Sequence, residues 1–349
     1  MGFRLTGLLA VMALAIGFGG ASTIGQSGAD TAERHIAAAK AAAGQDWAGM
    51  FDTLCVQALG RVGKPPAPPA GGRGRASGPP ERSTYHAEPV KVFDNVYRVG
   101  SKQHSGWAVV TSDGIILMDA LYDYNVQDSV IDGLKKLGLN PASIKYAIIG
   151  HAHGDHAGGA KALQELYGTK IVMGDADWQL LARTGPDGGS MFNRPKPKKD
   201  VVATDGMKIT VGDTTVTVYV TPGHTPGTLS SIIPVKDGGK PHVVAYWGGT
   251  MFNWTGGQAQ YLAHHPLNWW FNTYADSAAR FRDVAAKAGA DVLLSNHTDF
   301  DRTVEKEPLL AMRKPGDPNP FVVGTKSVQT FLTTVSECSR AGALMTPNR

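Results

Sequence analysis

The chain has 349 residues, of which 42% are hydrophobic and only 18% charged, a balance that excludes a polar disordered chain and provides for a large globular core. Its formal net charge of +4 is too small to call for a nucleic-acid partner. The one dense basic stretch, "RPKPKKD" at residues 194–200, carries Pro195 and Pro197 and reads as an exposed loop.

At the N-terminus, "MGFRLTGLLAVMALAIGFGGAST" sets Arg4 before a short apolar run, residues 8–18, which is followed by Gly19, Gly20, Ala21 and Ser22. This is the layout of a secretory signal over residues 1–22, and the run is too short for a membrane span. The mature protein is therefore expected to be periplasmic or secreted, with no stable membrane anchor after cleavage. Residues 23–62 are rich in alanine with helical spacing and read as a helical N-terminal extension. Proline and glycine crowd residues 63–85, which read as a linker, and residues 86–349 as the main domain. Cys55 and Cys338 are the two cysteines. An oxidising compartment permits a disulfide between them, and two buried thiols are the other reading.

Past the linker, short β-rich runs alternate with helical stretches, as in an α/β fold. "GWAVVTS" and "GIILMDA" read as a hairpin turning through Asp113 and Gly114. "VQDSVIDGLKKLG" follows as an amphipathic helix, "IKYAIIG" as a buried strand and "GGAKALQELYG" as a helix. Next come the strand "KIVMGD", the helix "ADWQLLART", a loop through Lys199, and the strands "MKITVG", "TTVTVYVT" and "HVVAYWG". The helix "YADSAARFRDVAAKAG" precedes a final strand, "DVLLSN".

In α/β architectures functional groups collect in loops at the carboxyl ends of strands. His151, His153, Asp155 and His156, in "HAHGDH", follow one predicted strand; His224 follows a second, Gly249 and Thr250 a third, and His297 a fourth. Imidazole and carboxylate suit Zn²⁺, and a catalytic zinc takes about three protein ligands with a position left for water. Five histidines and one aspartate are enough for two ions. A helix-capping role for Asp155 is the competing explanation, but four ligand-type residues in six positions are hard to explain without a metal.

These motifs resemble the metallo-β-lactamase superfamily. "HAHGDH" matches its His-x-His-x-Asp-His element, "TPGHTPGT" the loop with its next histidine, and "SNHTD" supplies the last. The resemblance covers about residues 89–300 and implies an α/β fold, the four-layer αβ/βα sandwich, here with its N-terminal helical extension. It implies two Zn²⁺ ions, the first held by His151, His153 and His224, the second by Asp155, His156 and His297, with Asp119 supporting a ligand loop. Where many superfamily hydrolases carry Gly-Asp-Thr, whose aspartate bridges both metals, this chain has "GGT" with Gly249. The remaining set looks like the β-lactamase subclass with three histidines at one zinc and Asp-His-His at the other.

The implied activity is hydrolysis of a cyclic amide in a small-molecule substrate, with a β-lactam first, by attack of zinc-bound hydroxide, Asp155 orienting the nucleophile. Pocket walls are expected from "KQHSGW", "LYDYN", residues 191–199 and "FNWTGGQAQYLAHHPLNWW". Candidate substrate contacts are Trp107, Tyr122, Tyr124, Thr250, Asn253, Trp254, His264, His265 and Trp269, with core or lid packing the competing role of the aromatic ones. A lactonase or esterase is the nearest rival. An iron oxidoreductase of the same fold and a non-catalytic binding module are the others. His153 favours zinc, because diiron members usually carry glutamate at that position.

Overall fold

Alternation of side chains along each strand builds two cores at once. On β4 (Gly114–Met118), Ile115 and Leu117 join one apolar cluster, whereas Ile116 and Met118 join another. On β11 (Lys240–Trp247) the same split separates Ala245 and Trp247 from Val244 and Tyr246, and on β12 (Val292–Ser295) Leu293 from Val292 and Leu294. The second cluster lies between the two sheets and the first beneath the helices. Strands this apolar on both faces belong inside a layered sandwich.

The computed structural model describes residues 1–2, 29–62, 64, 79–183, 195–256 and 265–346. Nearly all of the expected signal, most of the linker, part of the loop at residues 191–199, and His264 lie outside them. The chain divides into a short unit, Met1–Asp30, and a main unit, Thr31–Arg349. In the main unit a seven-stranded sheet runs β1 (Val90–Lys91), β2 (Val96–Gly100), β3 (Ser105–Thr111), β4, β5 (Ile144–Ile148), β6 (Lys170–Gly174) and β7 (Val201–Ala203). β1 to β4 pair antiparallel and β4 to β7 parallel. The other sheet has five strands in the order β12, β11, β10 (Leu229–Asp237), β9 (Thr214–Val220) and β8 (Met207–Val211), with only β11 and β12 parallel.

The helices in chain order begin with α1 (Ala32–Ala43), α2 (Ala48–Phe51), which runs on into a π-helical segment, Asp52–Ala58, and α3 (Arg82–Tyr85). They continue as α4 (Asp132–Lys136), α5 (Gly154–Ala157), α6 (Ala160–Tyr167) and α7 (Asp175–Ala182). The last three are α8 (Leu267–Ala288), α9 (Thr303–Ala311) and α10 (Thr325–Met345). Among the described residues no helix is long and apolar enough to cross a membrane.

The expected strands and helices are present, but the expected extension is no separate piece. Ala39, Ala43, Trp47 and Leu54 share one buried cluster with Phe331, Val335 and Cys338 of α10, and the Trp47 indole N–H donates to Ser327 O at 2.9 Å. The end of the expected linker also folds: α3 sets Tyr85 edge-on to Tyr124 at 5.5 Å. Two elements give little local signal. β10 contains Pro234, and α10 is rich in Ser, Thr and Val, weak helix formers that tertiary packing overrides.

A disulfide joins Cys55 to Cys338 across 283 residues of sequence. Closing so long a loop restricts the unfolded chain, for about 2–4 kcal/mol of stabilisation. Replacing either cysteine by serine should lower Tm by several degrees in a thermal melt under oxidising conditions and abolish the sensitivity of Tm to reductant.

Candidate metal centre

Four strand ends meet at one rim of the sandwich. The loop after β5 carries His151, His153, Asp155 and His156; His224 follows β9 and His297 follows β12. His224 Nε2 stands 3.1 Å from His151 Nε2 and 3.2 Å from His153 Nδ1. Beside this trio, Asp155 Oδ2 lies 3.2 Å from His156 Nε2 and 3.5 Å from His297 Nε2, and those two nitrogens are 3.2 Å apart. Zinc–nitrogen bonds of about 2.0–2.1 Å in a tetrahedron set neighbouring ligand atoms about 3.3 Å apart. The six residues the motifs singled out therefore fall into two adjacent trios spaced as ligands of one ion each.

Hydrogen bonds at the far ring nitrogens decide what the near ones can do. His151 Nδ1–H donates to Gly248 O at 2.8 Å, His224 Nδ1–H to Met251 O at 2.9 Å, and His156 Nδ1–H to Asp119 Oδ2 at 2.9 Å. A neutral imidazole has one donor and one acceptor. His151 and His224, as neutral rings, therefore turn their Nε2 lone pairs inward, and these face one another at 3.1 Å. Facing acceptors repel unless a cation lies between them, so the donor set fits a metal.

Charge states agree with that fit. Burial, with the neighbouring imidazoles, pushes His151, His153 and His297 well below the usual histidine range, and burial brings His224 down to about 4. These rings are neutral, the form that binds metal. Burial works against charge on His156 too, yet Asp155 and Asp119 outweigh it and carry this ring up to about 10. The same neighbourhood, led by His156, holds the buried Asp155 well below the carboxylate range.

Asp119 stands where a support for the ligand loop was expected. Its Oδ1 accepts from Gly150 N at 2.6 Å and its Oδ2 from His156 and from the Tyr246 hydroxyl at 2.8 Å. Its backbone is left-handed, with φ of 63°. Gly249 has a steric reason: a Cβ there would lie 2.7 Å from His224 Cβ. A side chain at this position displaces the first-trio ring.

The expected substrate contacts divide. Trp107 and Trp254 are core residues, 0% and 1% exposed, so neither lines a pocket. Trp107 closes the space between the sheets and donates to Ser295 O, while Trp254 packs with Trp270, Phe271 and Tyr274. Thr250 is also buried, its hydroxyl without a partner among the described residues. Asn253 does reach the centre, with Nδ2 3.5 Å from His224 Nε2. Tyr122 stacks on Tyr124 and meets the His104 ring edge-on at 5.3 Å. His265 stacks on the exposed Trp269 at 3.6 Å.

Two residues of the centre lie outside the motifs. Asp177, on α7, is fully buried; its Oδ2 accepts from Ala152 N at 2.8 Å and from the Thr225 hydroxyl at 2.7 Å, and its Oδ1 from Gly227 N at 2.7 Å. It ties the loop of His151 and His153 to the loop of His224. Burial pushes its carboxyl up to about 6, against the hydrogen bonds that hold it down. His104, in the turn between β2 and β3, brings Nε2 to 3.3 Å from Asp155 Oδ2. Asp177 carries no local signal, because it acts across the fold; His104 falls in the expected pocket-wall stretch "KQHSGW", though nothing local pairs it with Asp155.

Comparison with known proteins accords with this geometry. A profile described as "Metallo-beta-lactamase superfamily" matches residues 99–237. BJP-1, a subclass B3 metallo-β-lactamase of Bradyrhizobium japonicum, superposes with a TM-score of 0.60 at 30% identity, covering 74% of this chain and 94% of that one. A hydroxyacylglutathione hydrolase of Neisseria meningitidis is 31% identical over 120 residues, 34% of this chain and 39% of that protein. An N-acyl homoserine lactonase of a Bacillus species is 30% identical over 117 residues, 32% of this chain and 42% of that protein. The chain thus spans about two fifths of the length of these curated relatives. It belongs to the metallo-β-lactamase superfamily and has the fold of its metallo-hydrolases.

Asp177→Asn sets an amide N–H₂ against one of two backbone donors. It should lower Tm and weaken zinc binding at the first trio by about 10–100-fold in a chelator competition. Gly249→Asp, although it adds a carboxylate, should reduce zinc retention by displacing His224; tighter binding in the same competition would refute the steric account.

Proposed function

We propose that the protein is an exported dinuclear zinc hydrolase that opens a cyclic amide, with a β-lactam as its substrate. The carrying observation is the pair of adjacent trios, His151–His153–His224 and Asp155–His156–His297, with glycine at position 249. The likeness to BJP-1, a subclass B3 metallo-β-lactamase matched over 94% of its length at 30% identity, supports it.

Zinc held there lowers the pKa of water and polarises a carbonyl oxygen. The chain's own residues do the rest. His151, His224 and His156 are held by Gly248, Met251 and Asp119, so their donor atoms need no reorganisation. Asp155 stays a carboxylate at working pH, orients the attacking water and carries its proton toward the leaving nitrogen. Asn253, beside His224, is placed to donate to a substrate oxygen.

The lactonase reading keeps one supporting observation, the 30% identity to the N-acyl homoserine lactonase. A panel of penicillin, cephalosporin, carbapenem and lactone substrates on zinc-quantified protein separates the two. β-Lactam turnover is expected to exceed lactone turnover, and His151→Ala or His224→Ala should lower it at least about 100-fold with loss of one zinc equivalent. Iron in the purified protein together with oxygen consumption would overturn the hydrolase reading.

A further inference from the structure

We infer that His104 is a fourth protein ligand of the second metal position, beside Asp155, His156 and His297. This rests on the reading of the site as a metal centre and extends its donor set.

His104 Nε2 lies 3.3 Å from Asp155 Oδ2, within the 3.2–3.5 Å at which His156 and His297 surround the same oxygen. The donor atoms of His104, Asp155 and His297 all fall within 4.8 Å of one another. The His104 ring stands 4.7 Å from that of His297 and 6.0 Å from that of His156.

The backbone fixes this placement. His104 forms an antiparallel bridge with His297, flanked by Ser105 N donating to Asn296 O at 2.9 Å and Thr298 N donating to Gln103 O at 3.1 Å. Gly100 makes room for the turn, since a Cβ there would strike His104 O. His104 is therefore held by backbone pairing to the loop that carries the ligand opposite it. Its far nitrogen, Nδ1, meets the buried Ser101 hydroxyl at 3.3 Å, as the far nitrogens of His151, His156 and His224 meet oxygen atoms of their own. The side chain is 11% exposed, so this imidazole sits inside the centre, not on its rim.

A site with four protein donors is closed, whereas a catalytic zinc keeps a position open. The first position, with three histidines, then keeps the open place for water and substrate. The second ion is held more firmly and serves mainly as fixed charge beside it.

The test is metal titration of the full chain, wild type against His104→Ala and His104→Gln, using Zn²⁺ with a chromophoric chelator and Co²⁺ with visible absorption. Wild type should take up two equivalents. Both variants should keep the first equivalent unchanged, bind the second at least about 10-fold more weakly, and show an altered Co²⁺ spectrum for that equivalent only. His104→Gln keeps a polar group near Asp155 without the imidazole. A Gln variant that binds both equivalents within about twofold of wild type, with the same spectrum, would make His104 a hydrogen-bond partner of Asp155 and overturn the ligand assignment. Wild type that binds no transition metal would sink the metal centre itself, a failure distinct from equal binding by wild type and variants.

Discussion

The structure turns on imidazole lone pairs held face to face in a buried place. His151 and His224 each commit Nδ1–H to a backbone carbonyl, so their Nε2 lone pairs approach to 3.1 Å. Left alone, that arrangement is repulsive and costs the fold stability; with a cation between them it becomes strongly attractive. In the second trio His156 and His297 set their Nε2 atoms 3.2 Å apart beside the Asp155 carboxylate. The centre is thus organised for positive charge before any is bound.

Holding such a cluster requires stiffness, and two buried carboxylates provide it. Asp119 accepts the N–H of Gly150 and Asp177 that of Ala152, so the residues on either side of His151 are tied to different parts of the fold. Asp119 reaches on to His156 and Tyr246; Asp177 reaches on to Thr225 and Gly227, which flank the loop of His224. Behind both lie the two apolar layers, and the helical layer is itself bound across the chain by the Cys55–Cys338 disulfide.

Much of this is legible in the chain's local patterns. Strand alternation around Ile115–Met118, the placement of His151, His224 and His297 after apolar runs, and the glycine at 249 all lie in short stretches of sequence. The C-terminal helix is not legible in the same way, because Ser, Thr and Val weaken helical signal while suiting close packing against α1 and α8. Trp107 and Trp254 turn out to be core residues because an aromatic residue in a loop-flanked stretch looks the same whether it faces a pocket or the interior.

Residue chemistry and short-range periodicity are enough to specify the ligand types and their grouping at strand ends, both properties of the linear chain, and the sandwich that carries them is implied by the resemblance of those motifs to a family. That Asp177 links two ligand loops, that a side chain at Gly249 would strike His224, and that His104 stands beside Asp155 are settled by the folded arrangement alone. Those facts depend on which atoms meet across sequence separations of 48, 25 and 51, from 177 to 225, 224 to 249 and 104 to 155. No local pattern encodes such meetings, because it is the packing of the two sheets and their edges that produces them.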